Sequence, residues 1–482
     1  MRSSLGRPPT GAPSCGPLRL RDLRRAYREG RSTPGATVNA LLERIDRRGD
    51  DGVWIERSAT TALRARAREL EALRNRMDGR LDRVPLYGIP FAVKDNIDVA
   101  GMPTTAGCPD FAYLPEQTAP TVTRLLDAGA MLVGKTNLDQ FATGLTGVRS
   151  PYGVPESVFG GRLIAGGSSS GSAVAVATGL VAFALGTDTA GSGRVPAAMN
   201  GIAGVKPTRG LLSTAGVVPA CRSLDCVSVF AADVAEAAEV AGLAAGIAPE
   251  DPWARLPPER SAVLPPRAVR LGVPRTDDLD IADPLLRDRY AGAVERAAGR
   301  VADCVPVDIG PFLAAGDLLY AGPWVAERLA DLGDFLDTHP TSVLPVTRAV
   351  LEGGRRFSAV DAFRAQHRLQ ELRAAADPVW GGIDALLVPT VGALFTIDQI
   401  LDEPIRRNLE LGRFTHFANM LDLAAVTVPS GRTEDGRPAS VSLLGPAFSD
   451  ALLATLGAEL AQPALPEHPE PLPRSGSATV EA

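Results

Sequence analysis

Apolar residues recur at helical spacing through the first fifth of the chain and then give way to short buried runs. Residues 17–79 read as helical: an Arg- and Leu-rich opening, ATVNALLERIDRR behind a Thr33-Pro34 start signal, then a long Ala/Arg/Leu run. Residues 86–102 are rich in β-branched residues and predict short buried strands around Lys94. Thr121–Ala128 predicts a helix and Ala130–Val133 a buried strand. Residues 160–216 are dense in Gly, Ser and Thr. Within them an Ala/Val helix is expected at about 171–180, a strand at Val181–Leu185 and a turn over Gly186–Arg194. The Pro-rich stretch 246–268 is expected to cross the surface, a strand restarts at Arg270–Val273, and helices alternate with strands to residue 461. The expected organisation is a loose N-terminal tail (1–16), one α/β domain (17–461) with long loops, and a Pro-rich C-terminal tail (462–482). No repeat of 20–50 residues is present.

Composition narrows the class. The 482 residues are 45% hydrophobic and 22% charged, with a formal charge of -6. That is ordinary for a globular protein and disfavours a basic nucleic-acid-binding surface. No run reaches the ~18 apolar residues of a membrane span, and the N-terminus has no secretory apolar region, so a cytoplasmic protein is expected. Five scattered cysteines read as reduced thiols rather than a disulfide framework. The 50 cations include only three lysines, Lys94, Lys135 and Lys206. In such a background a lysine is a candidate for what Arg cannot do, which is to lose its proton near neutral pH.

Two motif matches lack the context they need. Gly129 to Thr136 fits GxxxxGK[ST], but its middle residues, Ala-Met-Leu-Val, read as a strand, which cannot also be a phosphate loop. Gly167-Ser168-Ser169-Ser170-Gly171 fits GxSxG, but no clear strand precedes it and none of the four histidines stands in a catalytic context.

Without histidine, a serine hydroxyl can still be activated by a neutral lysine. The amine must fall by roughly 3 units to serve near pH 7, which burial in an apolar strand supplies. Lys94 ends the apolar run Ile89–Val93; Asp95 and Asp98 would oppose the shift if they faced it. Small residues in Gly186–Gly193 permit an anion-binding nest of backbone amides beside Ser192. The residues alone fit an ordinary tight glycine turn equally well.

Three segments together resemble the amidase signature family: Gly88–Asp95 around the lysine, Gly166–Gly171, and Asp188–Pro196 followed by Gly204–Gly210. The resemblance runs from about residue 17 to 461. It implies a central mixed β-sheet sandwiched between helices and no metal or organic cofactor. It also implies a Ser-Ser-Lys set: Ser192 as nucleophile, Ser168 as a proton relay with a cis peptide bond, and Lys94 as base. The amides of Thr189, Ala190, Gly191 and Ser192 would form the oxyanion hole, with Asp188 and Arg194 bracing the loop. Lys135 and Lys206 match structural positions.

Within the family, the segments around both serines, residues 211–230 and Tyr320–Arg328 look like the allophanate hydrolases. That implies Tyr320 and Arg328 as partners of the substrate carboxylate, which suits the bidentate geometry of Arg. The expected reaction is hydrolysis of allophanate to ammonia and carbon dioxide, coupled to urea carboxylase, in a homodimer without nucleic-acid or membrane partners. Members often carry a further C-terminal domain, which this sequence, ending at Ala482, does not show. The alternatives are a biuret or general amide hydrolase, an A-type component of a tRNA-dependent amidotransferase, and an inactive binding scaffold.

Overall fold

The computed structural model describes residues 16–465 except 82, 259–268, 276–278 and 301. The expected tails therefore lie almost wholly outside the described residues, as does part of the Pro-rich stretch.

Among the described residues, eleven strands form one mixed sheet. In chain order they are β1 (Trp54–Arg57), β2 (Pro90–Lys94), β3 (Met131–Thr136), β4 (Phe183–Asp188), β5 (Ala203–Lys206), β6 (Cys226–Ala231), β7 (Val269–Pro274), β8 (Ala302–Val307), β9 (Ala385–Pro389), β10 (Ala424–Arg432) and β11 (Pro438–Gly445). Their spatial order is β1-β3-β2-β4-β6-β5-β10-β11-β9-β7-β8. Helices cover the sheet, and so β2, β4, β6 and β9 are buried along their whole length. Strands buried on both faces read as continuous apolar runs rather than alternating ones.

The arrangement that matters is β2 beside β4. They run parallel, with Phe91, Ala92 and Val93 in register with Phe183, Ala184 and Leu185. The Phe91 and Phe183 rings stack at 5.1 Å across that register, a contact worth about 0.5–1.5 kcal/mol beyond the area it buries. Parallel neighbours bring their C-terminal ends to the same edge, where ligand sites of α/β sheets form. Lys94 ends β2 and Asp188 ends β4, so the ladder brings the lysine and the turn after β4 together.

Most expected elements are present with shifted ends. The Ala/Val helix is Ser170–Ala177, and the strand after it is Phe183–Asp188. Residues 17–79 are not wholly helical: Trp54–Arg57 pairs antiparallel with β3 and forms one sheet edge. A four-residue strand between two longer helices leaves too few positions to show its own period. The 86–102 segment holds a single strand, Pro90–Lys94, followed by turns and isolated bridges. Met131–Val133, inside the GxxxxGK[ST] match, belongs to β3.

Candidate active site

Lys94 is wholly buried, and its amine donates to Ser168 Oγ and to Thr187 Oγ1, both at 2.7 Å. Burial pushes the amine down from 10.5 to about 7, against the smaller opposing pull of Asp139, Asp225 and Asp188. Its chain neighbours do not oppose this. Asp95 accepts from the Thr105 backbone at 2.9 Å and pairs with Lys135 at 3.3 Å. Asp98 accepts from Thr104 and from Tyr113. The other lysines are anchored: Lys135 also donates to Pro103 and Thr104, and Lys206 to the Pro207 carbonyl.

Ser168 follows a cis peptide bond, Gly167–Ser168. A Cβ on Gly167 would lie 2.1 Å from Asp139 Oδ2, so only glycine fits there. Asp139 in turn accepts from the amides of Thr146, Gly147 and Arg149, and its own amide donates to the Ser168 carbonyl. This carboxylate shapes the loop 139–149 around the serine segment.

The turn after β4 is built on Asp188. Its carboxylate accepts from the backbone amides of Gly191, Gly193 and Arg194 and from the Arg194 guanidinium at 2.9 and 3.0 Å. Burial would raise the Asp188 pKa, but Arg194, together with Lys206 and the Gly193 amide, outweighs it and holds the carboxyl below its usual range. Arg194 also reaches the Thr415 carbonyl and Asn419 Oδ1. Thr415 donates to the Ala190 carbonyl and Asn419 to the Asp188 carbonyl, both at 2.7 Å. Gly191 has φ +125°, and a Cβ there would sit 2.2 Å from Thr415 Oγ1.

The Gly191 amide is already partnered in this structure, donating to Asp188 Oδ1 at 3.0 Å. The amides of Thr189, Ala190 and Ser192 carry no such bond to the carboxylate, and they remain the candidate donors.

Ser192 is buried, and its hydroxyl donates to the Gly144 carbonyl at 3.4 Å. The two serine segments are tied by the Ser169 amide, which donates to the Ser192 carbonyl at 3.4 Å. Among the described residues the Ser192 hydroxyl is not bonded to Ser168, so the lysine–serine–serine chain is formed at its first link and open at its second.

Arg328 is buried and donates to Thr143 Oγ1 at 2.8 Å. Thr143 immediately precedes the glycine whose carbonyl holds Ser192, so Arg328 reaches the surroundings of Ser192. The Tyr320 ring lies 5.9 Å from the Arg328 guanidinium and 4.9 Å from the His416 ring. Burial lowers His416 to about 3, so the imidazole behind Tyr320 is neutral.

Three residues of the site carry no signal in the sequence. Gly144 acts through a carbonyl, and the role of His416 is set by a tertiary contact. Asp225 is buried, accepts from Thr189 Oγ1 and from the Ala220 and Cys221 amides, and is pushed up by burial to about 6. Among the described residues no group of three His, Cys, Asp or Glu side chains is placed to hold a metal ion. No helix among them is long and apolar enough to cross a membrane.

Comparison with known proteins agrees with this geometry. The family model described as Amidase matches residues 36–454. The urea amidolyase of Lachancea kluyveri is 41% identical over 446 residues, which is 91% of this chain but 24% of that protein. The urea amidolyase of Saccharomyces cerevisiae is 41% identical over 426 residues, 87% of this chain and 23% of that protein. The crystallised Kluyveromyces lactis allophanate hydrolase superposes with a TM-score of 0.87 at 38% identity, over 94% of this chain and 74% of that one. This chain thus spans about a quarter of the length of the urea amidolyases it matches. With a buried lysine on one strand, a serine segment beside it and the second serine after the neighbouring strand, the chain belongs to the amidase family.

Proposed function

We propose that this protein hydrolyses allophanate through Ser192, Ser168 and Lys94. The observation that carries the chemistry is the buried Lys94 amine, 2.7 Å from Ser168 Oγ with its pKa lowered to about 7. A neutral amine can accept a proton from Ser168 while Ser168 accepts one from Ser192. This requires the Ser192 hydroxyl to leave the Gly144 carbonyl and turn toward Ser168.

The Ser192 oxygen then attacks the terminal amide carbonyl. Negative charge develops on the carbonyl oxygen, where the amides of Thr189, Ala190 and Ser192 are the available donors. The relay returns the proton to the leaving nitrogen, ammonia departs, and a carbonyl group remains esterified to Ser192. Water, deprotonated by the same relay, cleaves that ester and releases N-carboxycarbamate, whose breakdown yields the remaining ammonia and carbon dioxide. Asp188 and Arg194 hold the turn.

The choice of allophanate rests on Tyr320 and Arg328. Allophanate is a urea bearing a carboxylate on one nitrogen, and a buried guanidinium is its natural partner. The likeness to urea amidolyases and to an allophanate hydrolase supports the same reading. It also supports coupling to a urea-carboxylating reaction that supplies the substrate; a cytoplasmic, homodimeric enzyme is part of the same proposal. The deciding experiment measures ammonia released by the pure protein from allophanate, biuret and glutamine. Turnover confined to allophanate is expected; preference for biuret or glutamine would reassign the substrate.

A further inference from the structure

The helix Trp324–Thr338, which carries Arg328, packs through Leu332 and Leu336 against a small apolar cluster, and its acidic side chains are bonded to one short turn, Ala220–Asp225. Glu327, the residue beside Arg328, accepts from the Ser223 amide at 2.8 Å, from the Ser223 hydroxyl at 2.7 Å and from the Cys221 thiol at 2.8 Å. Burial, with Glu327 close by, pushes the Cys221 thiol up, so it stays a donor. One helical turn on, Asp331 accepts from Arg222 Nε at 2.7 Å. Glu327 and Asp331 therefore grip three consecutive residues of the same turn, Cys221, Arg222 and Ser223.

The other end of that turn holds the candidate oxyanion strand-end. Asp225 accepts from the Thr189 hydroxyl, and its second contacts are the Ala220 and Cys221 amides, which close the turn upon itself. Six residues thus bridge two features of the site. One carboxylate fixes where the nucleophile turn begins, and the other fixes where the guanidinium helix sits.

From this geometry we infer that Glu327 and Asp225 are positioning residues that set the span between the Arg328 guanidinium and the Ser192 turn, making Ala220–Asp225 a ruler for substrate length. This deepens the allophanate reading and rests on Arg328 meeting a carboxylate. Neither residue touches the reacting atoms. Shortening the Glu327 arm by one methylene shifts the helix against the turn while keeping a charged acceptor; Asp225→Asn keeps one acceptor oxygen for the Ala220 and Cys221 amides and weakens the hold on Thr189, so its main effect falls on the Ser192 turn.

The test compares three primary amides by ammonia release: allophanate, succinamate (an anionic amide with a longer span) and uncharged propionamide. For Glu327→Asp we expect kcat/KM on allophanate to fall about tenfold, mainly through KM, as for loss of one charge-assisted contact. The allophanate-to-succinamate ratio should change by about fivefold or more, with propionamide within about twofold. Ser223→Ala, which removes a single donor to Glu327, should shift the ratio the same way by less. Asp225→Asn should instead lower kcat by about tenfold on all three substrates with little change in KM. An equal loss on all substrates in Glu327→Asp, or an unchanged ratio in Ser223→Ala, would overturn the inference; if Glu327→Asp does not fold, the Ser223→Ala ratio decides alone. Arg328→Ala separates the two levels. Selective loss on the anionic amides with unmoved Glu327 ratios rejects the ruler alone, while equal loss on all three rejects the carboxylate reading beneath it.

Discussion

Lys135 Nζ lies 3.3 Å from Asp95 Oδ1, with both side chains wholly buried. The pair, with two bonds from Thr105, occupies the carboxylate that follows Lys94 in the chain. Asp95 would otherwise be the nearest anion in sequence able to hold Lys94 protonated.

Removing one partner of that pair leaves an uncompensated buried charge. Lys135→Met should lower unfolding stability by about 3–5 kcal/mol, read from urea denaturation. The double variant Asp95→Asn/Lys135→Met should be much closer to the parent than the sum of the singles, since the two side chains are in contact. Additive losses would mean that the pair carries no coupling.

Lys94 sets a pH dependence in both activity and stability. For activity, the proposed base must be neutral, so kcat/KM on allophanate should fall as pH drops through about 7. For stability, the folded pKa lies below the ordinary 10.5. Between about 7 and 10.5 the unfolded chain therefore binds a proton that the folded chain does not. Stability then rises with pH across that window and is lowest, for this group, below it. Lys94→Met should abolish this slope. An unchanged slope in that variant would show that Lys94 is charged in the folded protein.

Ser192→Ala should remove turnover, and Ser168→Ala and Lys94→Ala should each reduce it by roughly 10²–10⁴-fold, the scale of general-base loss. Because the three are proposed to act as a unit, double variants should be little worse than the worst single. Single-turnover and steady-state ammonia release both report this. More than about a tenth of parental activity in Ser192→Ala would remove it as nucleophile.

Gly191→Ala tests the turn itself. The added methyl meets Thr415 Oγ1 at 2.2 Å in a backbone conformation that favours glycine. We expect a loss of about 1–3 kcal/mol in stability, as for overpacking or local backbone strain, and a fall in kcat. Thr415→Ala in the same chain should recover part of the loss by vacating the space, though not the backbone strain. No recovery would place the whole penalty in the backbone.

Much of the site was legible because the chemistry lies in short, glycine-flanked segments. Ser168, Asp188, Ser192 and Arg194 fall in two such segments, and Lys94 ends an apolar run whose burial follows from its composition. Asp188 and Arg194 meet as a buried, doubly bonded pair, as a loop-bracing role requires. What stayed hidden works through groups that sequence does not display. Gly144 contributes a carbonyl and Gly191 an amide turned to Asp188, and backbone direction is a product of φ and ψ rather than residue type. Asp225 and Glu327 matter through partners more than thirty and more than a hundred positions away in the chain. The strand Trp54–Arg57 exists because β3 offers it a ladder, not because four residues can announce a period.

The neighbouring parallel strands β2 and β4 carry one further consequence. Base and nucleophile turn hang from adjacent rungs, whereas Tyr320 and Arg328 stand on two helices, Gly310–Ala321 and Trp324–Thr338, inserted between β8 and β9 in the chain. In the proposed mechanism, bond-breaking and substrate choice thus fall in separate stretches of polypeptide. Under the proposed mechanism, changing residues 310–338 alters the choice of amide first, and reaches the Ser192 turn only through Thr143 and the turn Ala220–Asp225.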